Sequence, residues 1–216
     1  AYYCTQWFPK PAVFDATGWH AMPYLTEGEF YSEFGTFDVH ITVPANYVIG
    51  ATGLLVDGAA EEAWMDSLAK QPLSIVMSEG GAAFPQSSKV LKTLHFRQDR
   101  VHDFAWFADK RFEVRRSSVT LPASGRTVTT QVLFTPRNGA LWEKAVEYVN
   151  ESVRLYSQWV GDYPYDRATA VDGTISAGGG MEYPMITIIG NTGDAMGLDN
   201  VIAHEVGHNW FYGILG

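Results

Sequence analysis

The 216-residue sequence predicts an α+β fold, with a strand-rich first part and a second part that combines strands with helices. Three patterns lead to this prediction. Apolar and polar residues alternate in the first part, an amphipathic helix pattern lies in the middle of the second part, and an apolar helix pattern lies near its end. The pattern changes near Ser117 and Ser118, which divides the chain into predicted domains at 1–116 and 117–216.

The clearest strand signal lies between Phe37 and Val43, where apolar and polar residues alternate until Pro44 ends the run. This alternation indicates a strand with one face in the core and one face in solvent. Further candidate strands are short runs bounded by Gly, Pro and Ser clusters, at 47–51, 74–77, 93–96, 104–108 and 111–115. Their spacing predicts an all-β unit for residues 1–116.

The second part begins with two short candidate strands, at 119–121 and 128–134, and continues into a predicted helix. Apolar residues recur every three or four positions along this helix, so they share one face. They are Trp142, Val146, Val149, Val153, Tyr156 and Val160. Gly161 and Pro164 are expected to end the helix.

Two apolar candidate strands follow, at 168–175 and 185–189, with a glycine run between them. The last predicted helix begins near Asp199 or Asn200, because either side chain can accept a hydrogen bond from the first turn of a helix. This helix is expected to continue through His208.

The composition limits the possible classes of function. Apolar residues make up 46% of the chain and charged residues 18%, which favours a packed core over disorder. The net charge of -9 and the pI near 5.0 argue against nucleic acid as a partner, because phosphate binding needs a cationic face. Cys4 is the single cysteine and cannot form a disulfide within the chain. No apolar run approaches the roughly 18 residues that a membrane span requires.

His204, Glu205 and His208 point most directly to a chemistry, because they form an H-E-x-x-H motif within the last predicted helix. Residues four apart share one face of a helix, so both imidazoles can bind one zinc ion at about 2.0–2.1 Å. Glu205 projects near such an ion and is suited to accept a proton from a zinc-bound water. Zinc lowers the pKa of that water to about 7 and polarises the carbonyl under attack. The motif therefore predicts zinc-dependent hydrolysis.

The same spacing also arises by chance on partly buried helices of unrelated proteins. Here the three ionisable residues interrupt an otherwise apolar stretch from Val201 to Phe211, and buried ionisable groups need partners. A metal ion is such a partner, which favours the functional interpretation. The other histidines have no ligand spacing and are expected on surfaces or at strand edges, with no assigned role; they are His20, His40, His95 and His102.

At these residues the sequence resembles the aminopeptidase N family of gluzincins, a group of zinc metallopeptidases. The stretch Val201–Phe211, V-I-A-H-E-V-G-H-N-W-F, is close to the family's zinc helix V-I-A-H-E-x-x-H-Q-W-x. Upstream, Gly179–Tyr183, G-G-M-E-Y, is similar to the family's exopeptidase motif G-x-M-E-N. Asn209 replaces the common Gln, and Tyr183 replaces the usual Asn.

The resemblance implies roles for the residues of the second motif. Glu182 is expected to bind the free α-ammonium group of the substrate, since an ionised carboxylate forms strong hydrogen bonds with a cation. The backbone of Gly179, Gly180 and Met181 is expected to lie on a strand edge and to pair with the substrate main chain. The alternative interpretation is that these glycines only make a turn and that Glu182 is a solvated surface residue.

The first part is similar to the C-terminal portion of the family's saddle-shaped β domain. The stretches Thr5–Trp7 and Pro11–Asp15 resemble the T-Q-x-E and F-P-C-F-D segments of that domain, although the acidic residue of the first segment is absent. Gln6 is therefore a candidate for contact with the substrate amine. The resemblance implies that residues 117–216 form the first part of a thermolysin-like zincin catalytic domain. Some bacterial relatives with a stretch like Gln6–Pro9 are exported, which favours a periplasmic or extracellular location over the cytoplasm.

The zinc ligands within the sequence are His204 and His208, whereas a catalytic zinc ion takes three protein ligands plus water. The resemblance implies a glutamate as the third ligand, about eleven residues past Gly216. This segment alone is therefore expected to bind zinc weakly and to be inactive.

The function implied by the resemblance is that of a zinc-dependent aminopeptidase, with one zinc ion and with peptides that have a free amino terminus as substrates. Two alternatives stay open. One is a catalytically silent scaffold with the gluzincin fold, although a scaffold has no need to keep all three residues of the H-E-x-x-H motif. The other is a thermolysin-type endopeptidase, which would also cleave peptides with a blocked amino terminus.

Overall fold

The computed structural model describes residues 1–23, 30–74, 84–175 and 178–214. In the first part the elements are β1 Tyr2–Cys4, β2 Val13–Asp15, β3 Gly18–His20, β4 Gly35–Pro44, β5 Val48–Ala51, β6 Leu54–Leu55, α1 Ala59–Ala69, β7 Leu91–Val101 and β8 Trp106–Asp109. In the second part they are β9 Glu113–Thr120, β10 Thr127–Phe134, α2 Gly139–Trp142, α3 Ala145–Trp159, β11 Arg167–Asp172, β12 Gly180–Tyr183, β13 Ile186–Ile189 and α4 Ala195–Gly207.

Two three-stranded sheets form most of the first part. In one, the long antiparallel pair β4–β7 continues into β6, and in the other, β8 lies between β1 and β5. Apolar side chains between these sheets form a shared core; they are Ile41, Val43, Tyr47, Ile49, Ala51, Phe96, Phe104 and Ala108. The alternation between Phe37 and Val43 therefore predicted the buried face of β4 correctly. Apart from Ser74, the candidate strand 74–77 lies outside the described residues.

The sequence patterns did not predict helix α1. This helix has acidic residues, Glu61 and Glu62, in its first turn, where the helix dipole favours negative charge. Met65 is the one residue of α1 that is fully buried, and Trp64, Leu68 and Ala69 are partly buried against the same core, so the apolar stripe of this helix is short. It packs against β9, which runs through the boundary predicted between 116 and 117.

A five-stranded sheet forms the centre of the second part, in the order β12-β13-β11-β10-β9. The inner pairs β10–β11 and β11–β13 are parallel, and the outer strands β9 and β12 each run antiparallel to their neighbour. The predicted strands 111–115 and 119–121 are one continuous strand, β9.

Helices α3 and α4 pack on one face of this sheet, and their buried residues join its core. The buried helix residues include Trp142, Val149, Val153, Leu198, Ile202 and Val206. The prediction of one helix through Trp142 and Val160 was wrong, because Trp142 belongs to the separate short helix α2, and α3 ends at Trp159. None of the helices in the described ranges has the length and apolar content needed to cross a membrane.

Helix α4 begins earlier than the sequence predicted. The expected start was Asp199 or Asn200, whereas the helix begins at Ala195 and is capped by Asp194, whose side chain accepts a hydrogen bond from the backbone N–H of Gly197 at 2.7 Å. The intervening Gly197 has low intrinsic helix propensity, which hid the first turn from sequence reasoning. The cap supplies an acceptor for an N–H group that has no partner within the helix.

The Glu62 carboxylate ties α1 to the five-stranded sheet. Its oxygens lie 2.5 Å from guanidinium nitrogens of Arg116 on β9 and Arg167 on β11, and both arginine side chains are about one-tenth exposed. Burial raises the pKa of the Glu62 carboxyl, but Arg167 and Arg116 outweigh burial and hold this pKa below its usual value. Because the pKa is lower in the folded state, this pairing stabilises the fold above the unfolded-state pKa and is lost as the pH falls through the folded-state pKa.

Glu62→Gln is expected to lower the free energy of unfolding by about 1–2 kcal/mol at pH 7, since hydrogen bonds to charged groups are lost at a partly buried site. Urea denaturation at pH 7 and at pH 3 measures this, and the difference from wild type should shrink at pH 3. Glu151→Gln is the matched control, because Glu151 pairs with Arg154 on an exposed helix face. Equal losses in the two variants would contradict the role given to Glu62.

Candidate metal centre

Helix α4 carries the two histidines of the H-E-x-x-H motif on the side away from its apolar core contacts. Leu198, Ile202 and Val206 are buried against the sheet, which turns His204 and His208 towards the surface. His204 is exposed and His208 is half-buried. Residues 204 and 208 are one helical turn apart, so the helix brings their side chains together.

The two imidazoles have a geometry that fits a shared metal ion. Nε2 of His204 and Nε2 of His208 are 3.2 Å apart, and the ring planes are nearly perpendicular at 89°. Two nitrogens bound tetrahedrally to zinc at about 2.0–2.1 Å would be about 3.3 Å apart. The side chains in this structure therefore need little rearrangement to hold zinc.

A backbone hydrogen bond selects the metal-binding tautomer of His208. Nδ1 of this ring lies 3.0 Å from the carbonyl oxygen of Phe211, which can only accept a hydrogen bond. Nδ1 therefore carries the proton, and the neutral ring keeps its lone pair on Nε2, the atom that faces His204. The carbonyl is held in place by the turn after α4, in which Phe211 N–H donates to the Gly207 carbonyl.

Two buried carboxylates lie beside His208. Glu205 of α4 is 4% exposed, and Glu182 of β12 is 5% exposed. Each of Glu182, Glu205 and His208 offers one ligand atom, and these three atoms all lie within 4.8 Å of one another. The tertiary structure thus brings the two sequence motifs into one site. Two carboxylates this close create a negative potential that suits a metal ion or an ammonium group.

Gly180 lies directly against the Glu205 side chain. A Cβ atom at this position would lie 2.4 Å from Oε1 of Glu205, so a larger residue here would displace the Glu205 side chain or the backbone of β12. The preceding Gly178 and Gly179 have φ angles of 76° and 67°, in the left-handed region that favours glycine. Gly180 and Met181 lie in β12, which is an outer strand of the five-stranded sheet, and Gly179 immediately precedes it. Their pairing with a substrate main chain stays a prediction.

Asn209 holds the end of α4 against the β12–β13 hairpin, a role that the sequence did not reveal. Its Oδ1 accepts a hydrogen bond from the backbone N–H of Met185 at 2.9 Å, and its Nδ2 donates to the Val206 carbonyl at 3.0 Å. Met185 has a φ of 70°, which a residue with a side chain rarely adopts. On the other side, Thr52 Oγ1 donates to the Pro184 carbonyl at 2.9 Å. The hairpin that carries Glu182 is therefore fixed from both parts of the chain.

The remaining sequence-predicted residues lie in different environments. Tyr183 is buried in the core beneath the sheet. Gln6 donates its side-chain N–H to Asp103 at 2.7 Å, and the fully buried Asp103 also accepts from Lys10. The proposed contact of Gln6 with a substrate amine stays a prediction.

The expectation that all four other histidines lie on surfaces or strand edges was wrong for His102. This ring is 3% exposed, its Nε2 is 3.1 Å from the Tyr212 carbonyl oxygen, and its centroid is 4.3 Å from that of Tyr212. Tyr212 also packs at 6.4 Å from the His208 ring and has a φ of 113°. His102 thus supports the turn that follows helix α4. His102 and Tyr212 are 110 positions apart in the sequence, so no local pattern indicates this contact.

Solved structures with a similar fold include the M1 zinc metallopeptidase of Deinococcus radiodurans, with a TM-score of 0.50, 21% identity and coverage of 82% of this chain and 34% of that chain. A mutant of that protein matches with a TM-score of 0.51, 22% identity and the same coverage. The aminopeptidase A of Legionella pneumophila, in complex with aspartic acid, matches with a TM-score of 0.55 and 14% identity, over 81% of this chain and 19% of that chain.

These structures confirm the predicted α+β fold, in which the chain corresponds to the N-terminal part of M1 aminopeptidases. The chain spans about a third or less of the length of these proteins, 34% and 19% in the two cases. At identities of 14–22% the likeness shows a shared fold. Comparison with protein-family models and with curated proteins finds no match to this sequence.

Gly180→Ala is expected to destabilise the protein by about 1–3 kcal/mol, because the added methyl group must displace either β12 or the Glu205 side chain. Chemical denaturation measures the loss. Gly35→Ala is the matched control, since a Cβ at Gly35 meets nothing within 4 Å and Gly35 also lies in a strand. A Gly180→Ala protein as stable as the Gly35→Ala protein would show that β12 and Glu205 are not in close contact.

Proposed function

We propose that this chain is part of a zinc-dependent aminopeptidase that hydrolyses the N-terminal residue from peptides. The observation that carries the proposal is the 3.2 Å separation of the Nε2 atoms of His204 and His208, with the carboxylates of Glu182 and Glu205 close to the His208 ring. One group of side chains then combines a metal-binding pair, a candidate base and a candidate binding group for the substrate amine. The similarity in fold to M1 zinc metallopeptidases supports this interpretation.

His204 and His208 would hold the zinc ion through Nε2. A zinc ion held there supplies a Lewis acid, which polarises the scissile carbonyl and makes water more acidic. The resemblance at the motifs implies a glutamate past Gly216 as the third ligand. We therefore expect full zinc affinity and activity from a protein that includes that ligand, and weak binding from residues 1–216 alone.

Glu205 is the proposed general base. Its carboxylate is nearly buried, lies next to His208 and is positioned by the backbone of Gly180. It would accept a proton from the attacking water and later donate that proton to the amine that leaves. A fixed carboxylate serves this purpose better than a mobile one, because proton transfer requires hydrogen-bonding distance in the reacting complex.

Glu182 is the proposed binding group for the substrate α-ammonium group. It lies on the outer strand β12, and its Oε1 is 3.9 Å from Nδ1 of His208. A substrate that added a strand along β12 would place its first residue close to Glu182. The carboxylate would then hold the amino terminus at a fixed distance from Glu205, which limits cleavage to the first peptide bond.

The geometry favours this proposal over the two alternatives. A silent scaffold does not need the tautomer of His208 to be set by the Phe211 carbonyl, whereas metal binding does. A thermolysin-type endopeptidase does not need a buried carboxylate from β12 next to the zinc-binding helix. An exported location is part of the proposal and rests on the resemblance of the Gln6–Pro9 stretch alone.

Glu205→Gln is expected to lower kcat by about 10²–10⁴-fold while zinc content is retained, since the amide cannot accept the proton. The measurement is hydrolysis of an aminoacyl-nitroanilide by a protein that includes the sequence expected after Gly216, together with elemental analysis of zinc. Glu147→Gln, on the exposed face of α3, is the control. Equal activity of the two variants would contradict the role given to Glu205, and a wild-type protein without hydrolytic activity would favour the scaffold.

Glu182→Gln is expected to lower kcat/KM for a free-amine peptide by about tenfold to a hundredfold, the equivalent of one charge-assisted hydrogen bond. The wild-type protein should not cleave the same peptide after acetylation of its amino terminus. Chromatography of the reaction products tests both points. Cleavage of the acetylated peptide at a comparable rate would support the endopeptidase alternative instead.

A further inference from the structure

A second group of potential metal ligands lies on the outer face of the β4–β7 pair. Along β4, Asp38, His40 and Thr42 alternate with the core-facing Val39 and Ile41. The antiparallel register places a polar residue of β7 opposite each of them; the pairs are Asp38–Arg97, His40–His95 and Thr42–Thr93. Since side chains alternate between faces, all six point to the same side of the sheet.

The three potential ligands in this group already lie close together. The rings of His40 and His95 are stacked, with centroids 4.1 Å apart and an interplanar angle of 13°. Nε2 of His95 is 2.7 Å from Oδ1 of Asp38. Each of Asp38, His40 and His95 offers one ligand atom, and these three atoms all lie within 4.8 Å of one another.

We propose that Asp38, His40 and His95 form a binding site for a divalent first-row transition metal ion, Zn²⁺ or Cu²⁺. Two imidazoles and one carboxylate are ligands that suit these ions and are less suited to Mg²⁺ or Ca²⁺. The cation would take the place of the proton that lies between His95 and Asp38, and water would occupy the remaining coordination positions. The site is separate from the α4 site and does not depend on the proposed peptidase function.

The sheet beneath these side chains provides a rigid support. Ile41 and Phe96 are each less than 5% exposed, and backbone pairing between β4 and β7 extends from Gly35 to Pro44. Residues directly opposite on antiparallel strands have Cβ atoms about 4.5–5.5 Å apart, a span that two imidazoles can bridge to one ion. The ligands therefore come from a preorganised surface, which lowers the entropic cost of binding.

Arg97 is expected to weaken this site. One of its guanidinium nitrogens lies 3.9 Å from Oδ2 of Asp38, and the other lies 3.5 Å from Asp99. Its positive charge opposes a nearby dication, although Oδ1 of Asp38 stays available as a ligand. Replacement of Arg97 by a neutral residue should therefore strengthen metal binding, whereas replacement of a ligand should weaken it.

Titration of Zn²⁺ into the chain that carries His204→Gln and His208→Gln tests the proposal, because the α4 pair is then removed. We expect one Zn²⁺ to bind, and a further His40→Gln or His95→Gln to weaken its binding at least about tenfold. His20→Gln is the matched control, since His20 has a carboxylate neighbour, with Nε2 2.9 Å from Asp15, but does not belong to the stacked pair. This control should leave the affinity unchanged.

Two further readouts separate a specific site from general surface binding. Co²⁺ should give a visible ligand-field spectrum that both ligand variants lose, and Arg97→Gln should increase Zn²⁺ affinity severalfold. Both substitutions of the stacked pair lie on the solvent-facing side of the sheet, so circular dichroism should match that of the parent chain. The proposal is overturned if Zn²⁺ does not bind saturably, or if His40→Gln and His95→Gln bind it as tightly as the His20→Gln control.

Discussion

The contact between the Glu205 side chain and the backbone of Gly180 is the constraint on which the candidate metal centre depends, because it joins two motifs from different elements. Glu205 belongs to helix α4, which carries the candidate metal ligands, and Gly180 begins the outer strand β12. A Cβ at residue 180 would lie 2.4 Å from the carboxylate, so glycine keeps β12 and Glu205 in their present positions. Asn209 adds a second link by accepting a hydrogen bond from Met185 in the hairpin turn. Together these contacts determine how far Glu182 lies from His208.

In the described residues, one histidine pair is brought together by the helix period and another by the register between two strands. His204 and His208 are four residues apart on a helix, so their spacing in the sequence already places them side by side. His40 and His95 lie on opposite strands of one antiparallel pair, and their proximity arises from the register of β4 against β7. A helical pair can therefore be found by inspection of the sequence, whereas a cross-strand pair cannot be found until the strand pairing is known.

Much of the fold was predictable wherever the residue pattern is strong. The alternation before Pro44 indicated β4 and its buried face, and the apolar stripe that includes Val149 and Val153 indicated α3. Sequence patterns did not predict the structure where the local pattern is weak or where contacts between distant residues determine it. Helix α1 has only a short apolar stripe and is also held by the ion pairs of Glu62, and Gly197 obscured the first turn of α4. His102 is buried by contacts with Tyr212 that no local pattern indicates.

The sequence by itself predicted the chemistry of the candidate centre from its candidate ligands, and it determined the helical spacing of His204 and His208 and the α+β class of the fold. These follow from local rules, since the helix period and the ligand preferences of metal ions do not depend on distant residues. Only the tertiary structure decided that Glu182 lies beside His208, that Gly180 accommodates Glu205, and that His40 faces His95. The physical reason is that these contacts depend on how separate strands and helices pack together, which the pattern within any one element does not determine.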